Sequence, residues 1–167
     1  MSLVIGIDPG LRYTGWGIVS IDKSVLSYIA SGVIKNTLAT EEISVRLGII
    51  FKELTGILKR YQPVEAAIEN IYVNTNFKTS ISLAQARAAA MIACDYMQIR
   101  IVEYQAKTVK KVITGSGNSD KEQVLQMLGF YLPNIKSQIK TNKTHDETDA
   151  IAIAVCHSLH YNKKIEK

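Results

Sequence analysis

Cysteine is scarce: the 167-residue chain has two, Cys94 and Cys156, each in an apolar, helix-patterned stretch and at no metal-like spacing. That excludes a disulfide framework and a cysteine-built zinc centre, and it reads as buried thiols in a reducing compartment. No apolar run approaches the roughly 20 residues of a membrane helix, and the N-terminus lacks the basic, apolar, small-residue order of a secretory signal. The expectation is a soluble, cytoplasmic protein with no membrane partner. Internal repeats and linker-like segments are missing too, so the chain reads as one domain over residues 1–162 with a short basic tail, 163–167, that frays.

What is present has ordinary globular proportions, 47% hydrophobic and 21% charged, enough to bury one substantial core. The net charge of +5 is unevenly placed. Lysines 107, 110, 111, 121, 136, 140 and 143 face only Asp120 and Glu122 within their segment, which therefore carries an excess equal to that of the whole chain. Such a local surplus suits a polyanion-binding face, and a lysine-rich solvated surface is the plainer reading.

Leu3 to Ile7 is a short apolar run, β-branched at Val4, Ile5 and Ile7, that ends in Asp8 and then Pro9-Gly10. This is the pattern of a buried strand stopped by a turn. Thr14 to Ile21 leads back as its partner and Val25 to Ile34 completes an antiparallel meander. Glu41 to Tyr61 has helical apolar spacing and stops at Gln62-Pro63. Val64 to Glu69 is a short strand ending in a second carboxylate, followed by a polar loop, Asn74 to Lys78. Ser80 to Met97 form an alanine-rich helix, Ile99 to Tyr104 a fifth strand, and Gln105 to Ile113 a basic helix. Thr114 to Asn118 is a flexible joint before a helix for which Ser119 and Glu122 make a capping box. The last helix, about His145 to Tyr161, can use Thr144 and Glu147 in the same way. A meander followed by alternating strands and helices indicates an α/β mixed sheet covered by helices.

Four acids stand out in this arrangement. Asp8 and Glu69 each close a strand, and Asp146 and Asp149 are three apart in the first turns of a helix and share a face. If the strands are neighbours and the helix packs beside them, the acids converge without a cation close by in sequence. Like charges at close range raise one another's pKa, and a bound divalent metal relieves them. Carboxylate oxygens favour Mg²⁺ or Mn²⁺, whereas zinc calls for His and Cys. A turn-forming Asp8, a strand-end glutamate and two helix-capping aspartates account for the same residues without any metal. His157 and His160, with no acid or cysteine to complete a set, read as core-edge or surface histidines.

Five blocks, in order along nearly the whole chain, carry a resemblance. They are Gly6-Ile-Asp-Pro-Gly10 with Thr14-Gly-Trp-Gly17; Ala67-Ile-Glu69; Gln85-Ala-Arg87; the run from Val109 to Val124; and Asp146-x-x-Asp149-Ala-Ile-Ala-Ile-Ala154. Together they resemble the RuvC family of bacterial Holliday junction resolvases. The resemblance implies a ribonuclease H-like five-stranded sheet, three strands antiparallel and two parallel, flanked by helices. It also implies a homodimer, two Mg²⁺ per active site with Mn²⁺ able to substitute, and paired symmetric nicks in four-way junction DNA that leave 5′-phosphate and 3′-hydroxyl ends. Asp8, Glu69, Asp146 and Asp149 take the place of its catalytic, metal-binding acids. Lys110 and Lys121 fall at its DNA-contacting lysines, and Arg87 of the Gln-Ala-Arg block is carried over as a further DNA contact. Tyr72 stands where the family usually has a junction-stacking phenylalanine; it keeps the aromatic face and adds a hydroxyl. RuvA and RuvB, the branch-migration proteins, are implied as partners. Small departures are Ala84 and Ala88 in place of glycines, and Asp146 where some relatives have histidine, with His145 just before it.

Two other classes are compatible with parts of the chain. The Gly-Ile-Asp-Pro-Gly turn also resembles the first phosphate loop of actin-like ATPases and sugar kinases, which need a second domain that 167 residues cannot hold. A catalytically silent junction-binding protein is the other, set against the presence of all four acids. The alanines of the Ser80 to Met97 helix, at 84, 86, 88, 89, 90 and 93, suit close packing either on the sheet or across a two-fold axis.

Overall fold

The computed structural model describes residues 1–36, 42–71, 77–133, 135–139 and 145–165, with backbone alone at 136 and 161–165. The strands are β1 (Ser2–Asp8), β2 (Tyr13–Asp22), β3 (Val25–Lys35), β4 (Glu65–Glu69) and β5 (Arg100–Tyr104). The helices are α1 (Ile43–Tyr61), α2 (Phe77–Tyr96), α3 (Ala106–Thr114), α4 (Lys121–Tyr131), α5 (Ile135–Gln138) and α6 (Asp146–Ile165). One sheet runs in the order β3-β2-β1-β4-β5, antiparallel across β3, β2 and β1 and parallel across β1, β4 and β5. This is the mixed sheet that the sequence pattern predicts.

Alternation along the strands sorts the core into two layers. Val4 and Ala67 face one side with Val109 and Ile113 of α3, Val124 and Leu128 of α4, and Ile151 to Cys156 of α6. Ile5, Ile7, Ala66 and Ile68 face the other, with Leu54 and Leu58 of α1 and Ala90, Ala93 and Cys94 of α2. A period of two on strands buried from both faces produces this division. Both thiols are free and buried, and burial pushes each up to about 12.

Several details depart from the sequence reading. Phe77 and Lys78 belong to the first turn of α2 and not to a loop; positions 74–76 lie outside the described residues. The cap of α4 is Asp120 and not Ser119: its carboxylate accepts from the Gln123 N–H at 2.8 Å, and the Gln123 side chain accepts from the Asp120 N–H at 3.0 Å. Asp caps as well as Ser does, and the Ser119 hydroxyl is already engaged with Thr114 and the Ser116 carbonyl. Thr144, the expected cap of α6, lies outside the described residues. The short α5 follows from burial of Ile135 and Ile139, a spacing too brief to read as a helix beforehand. By contrast, Gln62 ends α1 as expected of a residue before proline, leaving the helix in the left-handed region and donating its N–H to the Leu58 carbonyl.

His157 is neither at the surface nor at the core edge. It is 1% exposed and bridges Glu65 and Tyr104. A carboxylate only accepts, so Nε2 donates to Glu65 at 2.8 Å, and Nδ1 lies 2.9 Å from the Tyr104 hydroxyl. Arg100 closes the other Glu65 oxygen at 3.2 Å. Replacing His157 by Leu leaves the Oε2 of Glu65 without this donor while Arg100 still holds the other oxygen, and the expected cost is about 1–3 kcal/mol in urea denaturation. An unchanged midpoint would show that the bridge adds nothing to stability.

Candidate active site

Asp8 and Glu69 end strands that lie side by side, β1 pairing with β4 in parallel through Ile7↔Ile68. Pro9 cannot continue the ladder, and the chain turns back at once. Thr14, wholly buried, ties this turn together by donating its hydroxyl to the Gly10 carbonyl at 2.8 Å.

Asp146 and Asp149 arrive on α6, and glycine decides how close that helix comes. Gly6 pairs with Gly17, and Gly15 with Asp8, across β1 and β2. A Cβ on Gly6 would strike the Ala150 carbonyl, one on Gly15 the Asp146 carbonyl, and one on Gly17 would lie 2.7 Å from Cγ1 of Ile151. The first turns of α6 therefore rest backbone against backbone on a floor without side chains, above the end of β1. The Glu147 carboxylate, between the two aspartates, points elsewhere and accepts from the Ser31 hydroxyl at 2.6 Å, which tethers the helix start to β3.

The four acids act on one another electrostatically. The Asp8 carboxyl is pushed up to about 8, first by burial and then by Asp149, Glu69 and Asp146, with partial relief from Lys121. Glu69 is raised by burial and by Asp149, and is eased by Lys110 and Lys121. Lys121 Nζ lies 2.9 Å from Asp149 Oδ2. Glu69, Lys110, Lys121 and Asp149 line a pocket of about 260 Å³ floored by Val109, Val124 and Ala152. On its other flank, Asp146 borders a second depression of about 320 Å³ between the Gly10–Tyr13 turn and Thr79, Ser82 and Leu83 of α2.

Among the described residues no three His, Cys, Asp or Glu side chains already surround a common ion position. Carboxylates this mutually repulsive do not close on one another without a counter-charge. The donor set nevertheless fits a hard divalent cation: all the candidate ligands are carboxylate oxygens, one is half-buried beside the other three, and two sit at the electropositive start of a helix.

The remaining expected residues separate. Lys110 and Lys121 face the acids. Arg87 turns inward with 16% of its side chain exposed, donating from Nε to the Glu69 carbonyl at 3.2 Å and pairing with Glu103. Tyr72 lies outside the described residues. His145 is exposed, and its carbonyl accepts the first α6 bond, from the Asp149 N–H. The links Arg87–Glu103 and Glu147–Ser31 escaped the sequence reading, because each joins elements whose adjacency no local pattern states. No helix among the described residues is long and apolar enough to cross a membrane.

Comparison with known proteins supplies the context. The family model described as crossover junction endodeoxyribonuclease RuvC matches residues 4–157. The chain is 43% identical over 159 residues to the RuvC endonuclease of Ehrlichia canis, covering 95% of this chain and 97% of that one. It is 39% identical over 160 residues to that of Gluconobacter oxydans, covering 96% and 92%. In fold it superposes on Thermus thermophilus RuvC in complex with a Holliday junction substrate with a TM-score of 0.87, at 24% identity and covering 98% and 97% of the two chains. The yeast mitochondrial Holliday junction resolvase Ydc2 gives 0.67 at 14% identity, covering 99% and 85%. The sheet order, the acids gathered at one strand edge and a match running almost from end to end lead to one conclusion: the chain belongs to the RuvC family of crossover junction endodeoxyribonucleases.

Proposed function

We propose that this Holliday junction resolvase cuts four-way DNA as a homodimer, using two Mg²⁺ ions per active site, for which Mn²⁺ can substitute. The observation that carries this reading is the burial of Asp8 among Glu69, Asp146 and Asp149, with lysines on the rim. Asp8 and Glu69, from the ends of neighbouring strands, and Asp146 and Asp149, from the first turn of α6, would hold the ions. Bound there, divalent ions supply an activated water and stabilise the leaving oxygen of a phosphodiester. The residues of this chain do the rest. The backbone-seated α6 fixes two ligands as one rigid piece, and Lys110 and Lys121 draw the phosphate toward an otherwise repelling pocket. The products are nicks with 5′-phosphate and 3′-hydroxyl ends.

A two-fold junction needs two equivalent cuts, which a symmetric dimer provides. Helix α2 offers a face for it: Ala86, Ala89, Ala90 and Ala93 are buried inward, while Phe77, Ile81 and Ile92, each more than half exposed, line the outward side with Ala84 and Ala88. Action in the cytoplasm alongside RuvA and RuvB belongs to the same reading, as does stacking of Tyr72 at the opened junction centre.

The decisive experiment titrates Mg²⁺ against nicking of a synthetic four-way junction beside a linear duplex of the same sequence. Metal-dependent, paired cuts confined to the junction are expected; binding without cutting at any Mg²⁺ or Mn²⁺ concentration would overturn the proposal. The lysines are tested separately. Lys110→Ala and Lys121→Ala are each expected to weaken junction binding and to lower the slope of log affinity against log salt by about one. Slopes equal to the parent's would remove both from the contact surface.

A further inference from the structure

We infer that Arg87 is a positioning residue for Glu69 and makes no contact with DNA. The inference rests on the reading of Glu69 as a metal ligand and adds to it the group that aims that ligand. Glu69 is the last residue of β4, where the sheet stops supporting the chain: the β1 ladder ends one residue earlier, at Ile7↔Ile68, and on the far side the Asn70 N–H makes a 2.7 Å bond to the Tyr104 carbonyl. Arg87 reaches this point from α2. Its Nε donates to the Glu69 carbonyl at 3.2 Å, and its Nη2 pairs with a carboxylate oxygen of Glu103, which lies opposite Ile68 on β5.

One planar guanidinium thus joins the ends of two strands. It makes the Nε hydrogen bond to Glu69 and the ion pair with Glu103 at once, which a lysine ammonium on a flexible stem does not reproduce. Its positive charge is matched by Glu103, and only 16% of the side chain meets solvent, so little is left to offer a phosphate. Holding the Glu69 peptide in place sets where its side chain leaves the backbone, and hence where its carboxylate meets an ion. Partners that orient ligands in this way typically change metal affinity by about 10- to 100-fold when removed.

The test compares Arg87→Ala, Arg87→Lys and Glu103→Gln with the parent and with Glu69→Gln. Mn²⁺ binding is followed by electron paramagnetic resonance in the absence of DNA, and four-way junction binding is measured in EDTA across a salt series. Arg87→Ala and Arg87→Lys are expected to weaken Mn²⁺ binding about tenfold or more, and Glu103→Gln in the same direction by less. Junction affinity and salt slope stay at the parent's values in all three. Glu103 is exposed, so its variant keeps the test valid if Arg87→Ala does not fold. Unchanged Mn²⁺ binding in the Arg87 and Glu103 variants, with Glu69→Gln weakened, overturns the inference and spares the metal site. Unchanged binding in Glu69→Gln overturns the metal-ligand reading, and the inference with it. A salt slope reduced by about one in Arg87→Ala identifies a phosphate contact and overturns it directly.

Discussion

Asp8→Asn is expected to bind four-way junction DNA and to leave it uncut, with nicking reduced by at least about 10³-fold. The substitution keeps the shape of the side chain and removes its charge, and the charge is what the surrounding acids make costly and a metal makes useful. A stability effect of opposite sign follows from the same number. The Asp8 carboxyl has an ordinary value of 3.8 and is pushed up to about 8 in the fold. Between those values the native protein binds more protons than the unfolded chain does, so its stability falls as pH rises from about 4 to about 8. Below that window Asp8 contributes nothing, and above it the penalty is complete. In EDTA, Asp8→Asn is therefore expected to melt above the parent at pH 8, with the difference shrinking toward pH 4. Thermal melts at the two pH values measure it. Equal melting of both proteins at pH 8, or normal cutting by the variant at ordinary Mg²⁺, would remove Asp8 from the centre of the site.

Gly15→Ala is the second large expectation, and it replaces no acid. The added methyl has no space beneath the Asp146 carbonyl, so the start of α6 must rise or tilt. Overpacking of this kind costs about 1–3 kcal/mol. A shift of about 1 Å in a ligand-bearing helix is enough to lower the rate about 100-fold. Gly48→Ala in α1 is the matched control, because a methyl there meets nothing within 4 Å. It is expected to gain about 0.5–1 kcal/mol from the better helix former with nicking unchanged. Urea midpoints and single-turnover nicking on both variants separate crowding at the site from the mere loss of a glycine. Parent-like nicking by Gly15→Ala would mean that α6 does not need its backbone seat.

Much of this was legible in the residues. The short apolar, β-branched run Leu3 to Ile7, the Pro9-Gly10 stop and the carboxylate at the end of Val64 to Glu69 locate two strand tips, and the Asp146–Asp149 spacing puts two more acids on one helical face. What stayed hidden depends on distance in sequence. Nothing near Gly6, Gly15 or Gly17 announces that a helix from the other end of the chain lies on them; the pattern shows only that something comes close. His157 and Glu65 each look unremarkable alone, and their pairing exists only because α6 crosses the start of β4. Arg87 belongs to a block that the family resemblance ties to DNA, and no local signal names Glu103, a whole strand away, as its partner. The Asp120 cap is a different kind of miss, in which two adjacent residues were both competent and the neighbouring turn engaged one of them.

The contact between β1 and α6 also sets a timetable. Strand β1 ends at Asp8 and the helix that packs over it begins at Asp146, so a growing chain holds Asp8 and Glu69 before it holds Asp146 and Asp149. Joining segments so far apart means closing a very long loop, a step that slows folding more than it weakens the folded state. Cutting power is thus expected to appear late during refolding, in step with the docking of α6 onto the sheet.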